Sequence, residues 1–369
     1  MTNIRTLWRR LSPHLAVFDP TLAIMISLIA SIGVLTMYSA AFDFPGRFEG
    51  HLRNLAFAAC VMWMAANVPP AWMMRSALPL YLLGVLLLVA VALFGDVSKG
   101  ARRWLSLGFG RVQPSELMKI AMPLMLAWYL GRREGGLKWF DFVMAAALLV
   151  VPVLLIARQP DLGTAVLVLA AGAYVIFLAG LHWKVIAALA LAAGAAMPLV
   201  WSLMHDYQRQ RVLTLLDPST DPLGKGFHII QSTIAVGSGG VFGKGWMAGT
   251  QAHLEFIPER TTDFIFAVFS EEFGLAGNGV LVVLYLTLIS RGLVIAGQAA
   301  SEFTRLLAGA VTMIFFTYAF VNMGMVSGIL PVVGVPLPFM SYGGTAMMTL
   351  GLGAGMLMSI HRHRKLVQT

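Results

Sequence analysis

Acidic and basic side chains cluster at the ends of long apolar segments, where a carboxylate can serve as a general base and a cation can bind an anionic group. The first cluster extends from Arg111 and Gln113 to Glu116 and Lys119. Glu116 and Lys119 are three residues apart and therefore share one face of a helix. They either neutralise each other as a structural ion pair or line a wet functional pocket. An apolar pair would serve packing at lower cost, which favours the pocket.

Two further clusters place a carboxylate at the start of a helix. Asp161 follows Arg158 in a short turn, where its negative charge suits the positive end of the next helix. Asp263 follows Arg260 and Thr262, and with Thr262 as the capping residue the Asp263 carboxylate lies in the first helical turn. For each carboxylate, a plain helix-start role and a functional role remain open.

Glu271 and Glu272 lie two turns beyond Asp263 in the same apolar segment, and two adjacent acids are unusual there. At least one of them must face protein or water, because a charge in contact with lipid is costly. The scattered histidines do not predict a metal site, and the sequence has no His-Glu-Xaa-Xaa-His pattern, no Gly-Xaa-Ser-Xaa-Gly elbow and no P-loop. The usual soluble hydrolase and nucleotidase signatures are therefore excluded.

The amino-acid composition indicates the kind of structure that positions these clusters. Of the 369 residues, 58% are hydrophobic and only 12% are charged, about half the charged fraction of roughly 25% that is usual in soluble domains. This composition excludes a water-soluble enzyme, a disordered protein and a nucleic-acid binder with a basic face. It predicts a polytopic membrane protein.

Ten segments are apolar and long enough to cross the hydrocarbon region as helices, since a helix needs about 20 residues to span roughly 30 Å. The predicted fold class is an all-α polytopic membrane protein with about ten transmembrane helices, forming a single domain over residues 1–369. The segments at 52–68 and 115–131 are the weakest, because charged residues lie near one end of each. The remaining eight are 20–41, 77–95, 140–157, 162–181, 184–204, 263–290, 304–327 and 343–360.

Basic residues determine the orientation, because they are retained on the cytoplasmic side. The chain carries 26 Lys and Arg against 17 Asp and Glu, a formal net charge of +9. With the amino terminus inside, the basic residues divide equally between the two sides, and the basic clusters in the termini and in the short segment 131–138 break the tie. Both termini are therefore predicted to be cytoplasmic, with the carboxylate clusters outside.

The segment 205–262 is the large external loop between the seventh and eighth spans, and it is too long for an idle connection. Its apolar stretch 227–236 suits a segment lying along the membrane interface. Glycine-rich runs at 237–240 and 243–245 can cradle a phosphate or pack as a re-entrant loop, and both interpretations remain open. The Pro- and Gly-rich residues 328–344 are typical of irregular backbone packed in a cavity rather than facing lipid.

Taken together, these segments resemble the SEDS family, the shape, elongation, division and sporulation proteins. The resemblance covers essentially the whole chain, and residues 328–336 with the short termini resemble the elongation branch rather than the division branch. The matching strings lie at 113–116, 159–164, 226–240, 258–266, 271–274 and 337–344. The resemblance implies a glycosyltransferase that polymerises glycan strands from lipid II on the outer face of the bacterial cytoplasmic membrane, releasing undecaprenyl pyrophosphate, for cell elongation and rod shape.

The resemblance also implies roles for particular residues. Asp263 is the expected general base, which takes a proton from the attacking sugar hydroxyl, and Glu116 and Lys119 are expected to orient groups and balance charge. The expected substrate-binding residues are Arg53, Arg111, Gln113, Asp161 and Arg260. A divalent cation, Mg²⁺ or Mn²⁺, is a possible cofactor, and no organic cofactor is expected. The expected partners are a class B penicillin-binding protein transpeptidase and the membrane proteins of the elongation complex, with no nucleic acid.

Two functions from other classes are alternatives. A lipid II flippase or other transporter would also have about ten spans, with inverted repeats and broken helices near the membrane midplane. The ionisable residues of this chain instead cluster at the outer ends of the spans. A non-catalytic scaffold that recruits cell-wall enzymes is the second alternative, and it predicts that substitutions of Asp263 are silent.

Overall fold

The computed structural model describes residues 17–98, 101–106, 111–133, 136–159, 161–204, 209, 213, 225–254, 256–257 and 259–364. In this part of the chain, ten long helices coincide with the ten predicted spans, and the chain is a multi-pass membrane protein. Seven precede the long loop: α1 (Pro20–Ala40), α2 (Arg47–Ala66), α3 (Pro70–Phe94), α4 (Pro114–Gly131), α5 (Trp139–Arg158), α6 (Leu162–Leu178) and α7 (Trp183–Leu203). The loop contributes α8 (Lys225–Ser238) and α9 (Thr250–His253), and α10 (Ile265–Gly297), α11 (Glu302–Val326) and α12 (Gly344–Arg362) follow.

Length and composition alone identify five of these helices as able to cross a membrane: α1, α3, α5, α10 and α11. The segments predicted as weakest, which form α2 and α4, are not among the five. Most of α4 is buried by protein rather than exposed, so its polar residues do not need to contact lipid. Ten crossings and two cytoplasmic termini stay predictions.

A small antiparallel sheet lies between α3 and α4, and the sequence patterns did not predict it. Its strands are β1 (Asp96–Ser98), β2 (Ala101–Ser106) and β3 (Arg111–Val112), in the order β1-β2-β3. Because β3 ends immediately before Gln113, the N-cap residue of α4, the sheet leads directly into this helix.

Small residues bring α2 and α12 close together. A Cβ atom added to Gly351 would lie 2.6 Å from the Ala58 carbonyl oxygen, and one added to Gly355 would lie 2.3 Å from that of Met62. Neither contact leaves room for a methyl group. The two backbones therefore touch, as is usual where glycines line a helix–helix interface in a membrane.

The apolar stretch 227–236 forms most of α8, which packs against α10 and the end of α11. Ile229 and Ala235 are buried, and the Ser232 hydroxyl donates to the Val326 carbonyl at 3.0 Å. One face of this stretch therefore packs on neighbouring helices. Its position along the membrane interface stays a prediction.

The helix α10 is broken at Gly274, whose backbone (φ 64°, ψ −163°) is not helical. The glycine-rich loop closes the break. Before the break, the carbonyls of Glu271 and Glu272 accept from loop amides, both at 3.0 Å. After it, the two following amides donate to loop carbonyls, both at 2.9 Å. Of the two open interpretations of the glycine-rich runs, these contacts support packing as a re-entrant loop.

Glu271 and Glu272 both face protein, as predicted for at least one of them, and both are almost completely buried. The Glu271 carboxylate accepts from Lys244 Nζ at 2.6 Å and from the Thr250 amide at 2.9 Å. Glu272 accepts from the Ser39 hydroxyl of α1. These carboxylates tie the loop and α1 to the N-terminal part of α10.

At the opposite end of the bundle, Asp19 joins three helices. It caps α1 by accepting from the Leu22 amide at 2.9 Å, and it pairs with Arg291 of α10 at 2.6 Å and His361 of α12 at 3.3 Å. Burial disfavours the charged carboxylate, but the hydrogen bonds from Arg291 and Leu22 outweigh it and hold the pKa of Asp19 below its usual range. The start of α1 and the last turns of α10 and α12 are thereby fixed together.

Candidate active site

Asp263 lies in the turn immediately before α10 and is half-buried. The prediction that Thr262 caps the helix is wrong. The Thr262 hydroxyl bonds back to the Glu259 carbonyl at 3.1 Å, and the amides of Thr262 and Phe264 both donate to that carbonyl. Because this tight turn extends to Phe264, α10 begins at Ile265, and Asp263 stands just outside the first helical turn.

Glu116 and Lys119 form the predicted pair on α4. Lys119 Nζ is 2.6 Å from Glu116 Oε1, with exposed side-chain fractions of 4% for Lys119 and 14% for Glu116. The Thr349 hydroxyl of α12 approaches the other Glu116 oxygen at 3.4 Å. The ring of Tyr318, fully buried on α11, has its centre 5.4 Å from Lys119 Nζ. The pair is therefore held among three helices.

Tyr318 was not predicted as a site residue. A single aromatic residue in an apolar span has no pattern that distinguishes it from an ordinary core residue. Its proximity to Lys119 depends on how α4 and α11 pack, and no local spacing reports that packing.

Asp161 caps α6, as the helix-start interpretation predicts, and it also bonds to a second helix. Its Oδ1 accepts from the Thr164 amide at 3.3 Å, and its Oδ2 accepts from Gln113 Nε2 at 3.0 Å. Gln113 stands one turn before Glu116, so this hydrogen bond connects the start of α6 to the Glu116–Lys119 pair. The predicted residues Gln113, Glu116, Lys119 and Asp161 are brought together.

The predicted arginines do not share one environment. Arg53 is exposed on α2 and forms no ion pair with any residue that the structure describes. Of Arg111, only the backbone in β3 is described. Their roles in substrate binding stay predictions.

Arg260 is buried in a different setting, against the outer end of α1. Its guanidinium pairs with Asp43, donates from Nε to the Ala40 carbonyl at 2.9 Å and lies 4.9 Å from the centre of the Phe44 ring. Only 3% of the residue is exposed. These contacts anchor the turn that carries Asp263, which favours a structural role over contact with a substrate.

Asn322 connects Asp263 to the rest of the site. It is fully buried on α11, and its Nδ2 donates to the backbone carbonyls of Asp263 at 2.8 Å and of Val335 at 2.7 Å. Asn322 is four residues after Tyr318, so the two side chains lie on one face of α11, one turn apart. One helix thus contacts both the Lys119 cluster and the turn that carries Asp263.

The Pro- and Gly-rich outer loop packs over both parts of the site, as predicted for irregular backbone in a cavity. A Cβ atom added to Gly163 at the start of α6 would lie 2.3 Å from the Val333 carbonyl oxygen. One added to Gly334 would lie 3.2 Å from Asp263 Oδ2. The loop therefore runs directly from the Asp161 end of the site to the Asp263 carboxylate.

The assembled site suits acid–base chemistry next to an anionic group. It offers a half-buried carboxylate, a buried ammonium held by a second carboxylate, and an amide–carboxylate pair, all at one end of the bundle. Within the described ranges, no three Asp, Glu, His or Cys side chains converge on a possible metal position. A divalent cation stays a prediction, and no step is assigned to it.

Comparison with known proteins agrees with these features. The profile of the FtsW/RodA/SpoVE family, described as "Cell cycle protein", matches residues 20–366. The chain is 50% identical over 366 residues to the peptidoglycan glycosyltransferase MrdB of Escherichia coli (strain K12), covering 99% of this chain and 98% of that protein. It is 33% identical over 363 residues to the stage V sporulation protein E of Bacillus subtilis (strain 168), covering 94% and 98% respectively.

Solved structures have the same fold. A chain from a study of polymerization and crosslinking by a peptidoglycan synthase complex has a TM-score of 0.82 and 34% identity, covering 95% of this chain and 99% of that one. The rod shape determining protein RodA of Thermus thermophilus has a TM-score of 0.71 and 27% identity, covering 94% and 97%. The family profile and the full-length relatives agree with the motif resemblance, and the chain belongs to the FtsW/RodA/SpoVE family, the SEDS family.

Proposed function

We propose that the site joins lipid II units, disaccharide-pentapeptides carried on undecaprenyl pyrophosphate, into glycan strands. The chain is a peptidoglycan glycosyltransferase that polymerises glycan for cell elongation. The observation that carries the proposal about the site is the arrangement on α11, where Tyr318 contacts Lys119 and Asn322 holds the turn of Asp263 one helical turn away. One helix thereby contacts both the base and the cation at one end of the bundle.

Asp263 acts as the general base. The 4-hydroxyl of one sugar attacks the anomeric carbon of the other, forming the new glycosidic C–O bond while the bond from that carbon to the pyrophosphate oxygen breaks. The hydroxyl proton passes to the Asp263 carboxylate. The Asp263 carboxylate is accessible for this transfer, because it is only half-buried and lies in the turn before α10, at one end of the bundle.

The leaving group is a lipid pyrophosphate, which gains negative charge as the bond breaks and needs cations nearby. Arg53, exposed and without an ion pair in the described part of the chain, has its positive charge available. Lys119 is already paired with Glu116, so this pair orients the substrate and balances charge. The hydrogen bond between Gln113 and Asp161 fixes the start of α4, which carries the pair, against the start of α6.

The site faces the outside of the cytoplasmic membrane, where lipid II is presented. Glycan polymerisation is coupled to crosslinking by a class B penicillin-binding protein transpeptidase. The solved relative from a peptidoglycan synthase complex supports this partner. Exposed apolar residues of α10, including Leu275, Val283 and Leu286, offer a surface for a membrane helix of the partner.

A lipid transporter is a second candidate, because α10 is broken well inside its length, as helices of transporters often are. The break does not leave polar backbone open to a cavity, however. Loop amides and carbonyls satisfy it, and Glu271 beside it is paired with Lys244. The geometry therefore favours polymerisation.

The test compares purified wild-type protein with Asp263→Asn on lipid II, with glycan chains separated on a gel and lipid II transport measured in proteoliposomes. Glu302→Gln, an exposed charge removal at the other end of α11, is the matched control. We expect the wild type and the control to make long chains and Asp263→Asn to make none while melting normally. Polymerisation by Asp263→Asn would overturn the base assignment, and transport without polymerisation by the wild type would favour the transporter. Addition of a chelator tests for a divalent cation.

A further inference from the structure

The buried side-chain amide of Asn322 donates two hydrogen bonds but accepts none from the described residues. Among the described residues, its hydrogen bonds are the two donations from Nδ2, to the carbonyls of Asp263 and Val335, while its Oδ1 has no partner. A buried polar group without a partner is costly. A leucine has the same branched shape and no unpaired oxygen, but it would leave both carbonyls without their donor, so these two hydrogen bonds account for the amide.

The two carbonyls belong to segments that meet at the Asp263 carboxylate. One is the backbone of Asp263 itself, and the other is one residue beyond Gly334, whose added Cβ atom would lie 3.2 Å from Asp263 Oδ2. At that distance, an added methyl group requires the carboxylate or the loop to move. Gly334 also has a φ of 72°, so its conformation holds the loop in a path that brings this backbone to the carboxylate.

We propose that Asn322 and Gly334 are positioning residues for Asp263: the amide clamps the Asp263 backbone to the outer loop, and the glycine leaves the space in which the carboxylate stands. Neither residue touches the substrate. The proposal rests on the assignment of Asp263 as the general base. In this proposal, the orientation of the carboxylate is set by α11 and by residues 331–336 rather than by α10, which follows Asp263 in the chain.

The lead experiment compares Gly334→Ala with Gly328→Ala. Both glycines lie in the same loop with left-handed backbones, φ 72° and 75°, so an alanine introduces the same kind of backbone strain at each. The Cβ atom at Gly328 meets the methyl group of Thr233 at 3.1 Å, whereas the Cβ atom at Gly334 meets the Asp263 carboxylate. The difference between the two variants therefore isolates the contact with Asp263.

A second comparison tests the amide. Asn322→Leu removes both of its hydrogen bonds, and Thr317→Val removes a hydrogen bond to Tyr174 (2.8 Å) on the same helix, away from Asp263. For all four variants, kcat and KM for lipid II are measured in detergent, together with the melting temperature. Asp263→Asn is assayed in parallel.

We expect kcat to fall by about tenfold or more in Gly334→Ala and Asn322→Leu, with KM little changed, because a misplaced base loses rate rather than substrate affinity. Gly328→Ala and Thr317→Val should lose melting temperature but keep kcat. Equal kcat for the two alanine variants, or a loss confined to KM, would overturn the positioning role while an inactive Asp263→Asn still supports the base. An active Asp263→Asn would overturn the base assignment itself, and the positioning proposal with it.

Discussion

Tyr318 and Asn322 lie one turn apart on the same face of α11, the first beside Lys119 and the second bonded to the carbonyl of Asp263. A fixed rise of about 6 Å along the helix axis separates their Cα atoms. The geometry of α11 therefore contributes to the spacing between the two parts of the site, together with the turn of Asp263 and the loop that Asn322 holds. A helix is the stiffer support, which suits a reaction that needs a base and a cation at defined positions.

The Glu116–Lys119 pair can be separated into its structural and functional parts. Lys119→Met leaves Glu116 buried without its cation and should cost about 3–5 kcal/mol of unfolding free energy. The double variant Glu116→Gln with Lys119→Met should recover most of that stability and remain inactive on lipid II, because the orienting charges are gone. Melting temperature and polymerisation are the two measurements.

The control for this pair is Glu302→Gln with Arg305→Met, an exposed pair of the same i, i+3 spacing on α11. Its removal should change the unfolding free energy by less than about 1 kcal/mol and leave polymerisation intact. An active Glu116→Gln, Lys119→Met double variant would show that the buried pair is purely structural.

Asp161 has a capping role that an asparagine can also perform. Asp161→Asn should change the unfolding free energy by less than about 0.5 kcal/mol, because asparagine caps helices equally well, whereas Asp161→Ala should cost about 1 kcal/mol. If the charge of Asp161 serves the site, polymerisation falls in both variants. Full activity of Asp161→Asn would limit this residue to capping, and melting curves with lipid II assays distinguish the two results.

Arg260 should act through stability rather than substrate affinity. Arg260→Lys keeps the charge but cannot reach the Ala40 carbonyl and Asp43 together, because lysine lacks the forked guanidinium. We expect a loss of about 1–3 kcal/mol of unfolding free energy, with an unchanged KM for lipid II. Arg53→Lys, on an exposed arginine, is the comparison, and a raised KM in Arg260→Lys at normal melting temperature would instead place Arg260 on the substrate.

The break in α10 requires a glycine at position 274. An alanine there would be strained at a φ of 64°, and its Cβ atom would lie 2.3 Å from the Gly243 nitrogen. Gly274→Ala should therefore cost more than about 3 kcal/mol. Gly279→Ala, on the same helix in open space, should be neutral or stabilise by up to about 1 kcal/mol. Thermal melting of both variants in detergent tests this prediction, which similar losses would contradict.

Asp19 predicts a pH dependence of stability. Because the pKa of this carboxyl is lowered in the folded protein, its stabilising effect is present above about pH 4 and is lost as the pH falls through the folded value. Asp19→Asn keeps a capping side chain but loses the charge. It should melt well below the wild type at about pH 7, and the difference should shrink towards about pH 3. A difference that does not change with pH would show that the charge of Asp19 contributes no stability.

Hydropathy predicts where the ten long helices lie, because a span needs about 20 apolar residues, although only five of the described helices are by themselves long and apolar enough to cross a membrane. It does not predict the end of the turn before α10, since Thr262 is a good capping residue by type. Its hydroxyl instead bonds to the Glu259 carbonyl, which is near only because the chain turns there. The β-strands before α4 are short and carry no strong alternation.

Only the charged residues of the site can be predicted from the sequence. Glu116, Lys119, Asp161 and Asp263 are conspicuous because ionisable residues are rare in this sequence. Asn322 and Tyr318 are not conspicuous, because one amide and one phenol within an apolar span fit many environments. Their importance becomes visible only once α11 lies between α4 and the turn of Asp263, which is a property of the packed bundle.

The hydrogen bonds that close the break at Gly274 come from a segment about 30 residues earlier in the chain. As α10 leaves the ribosome, the loop that completes it has therefore already been made. The backbone groups on either side of Gly274 need that loop, because unpaired polar backbone in lipid is costly. We therefore expect the part of α10 before Gly274 to reach its final position only when residues 239–245 dock, so that a defect in the loop affects biogenesis before it affects catalysis.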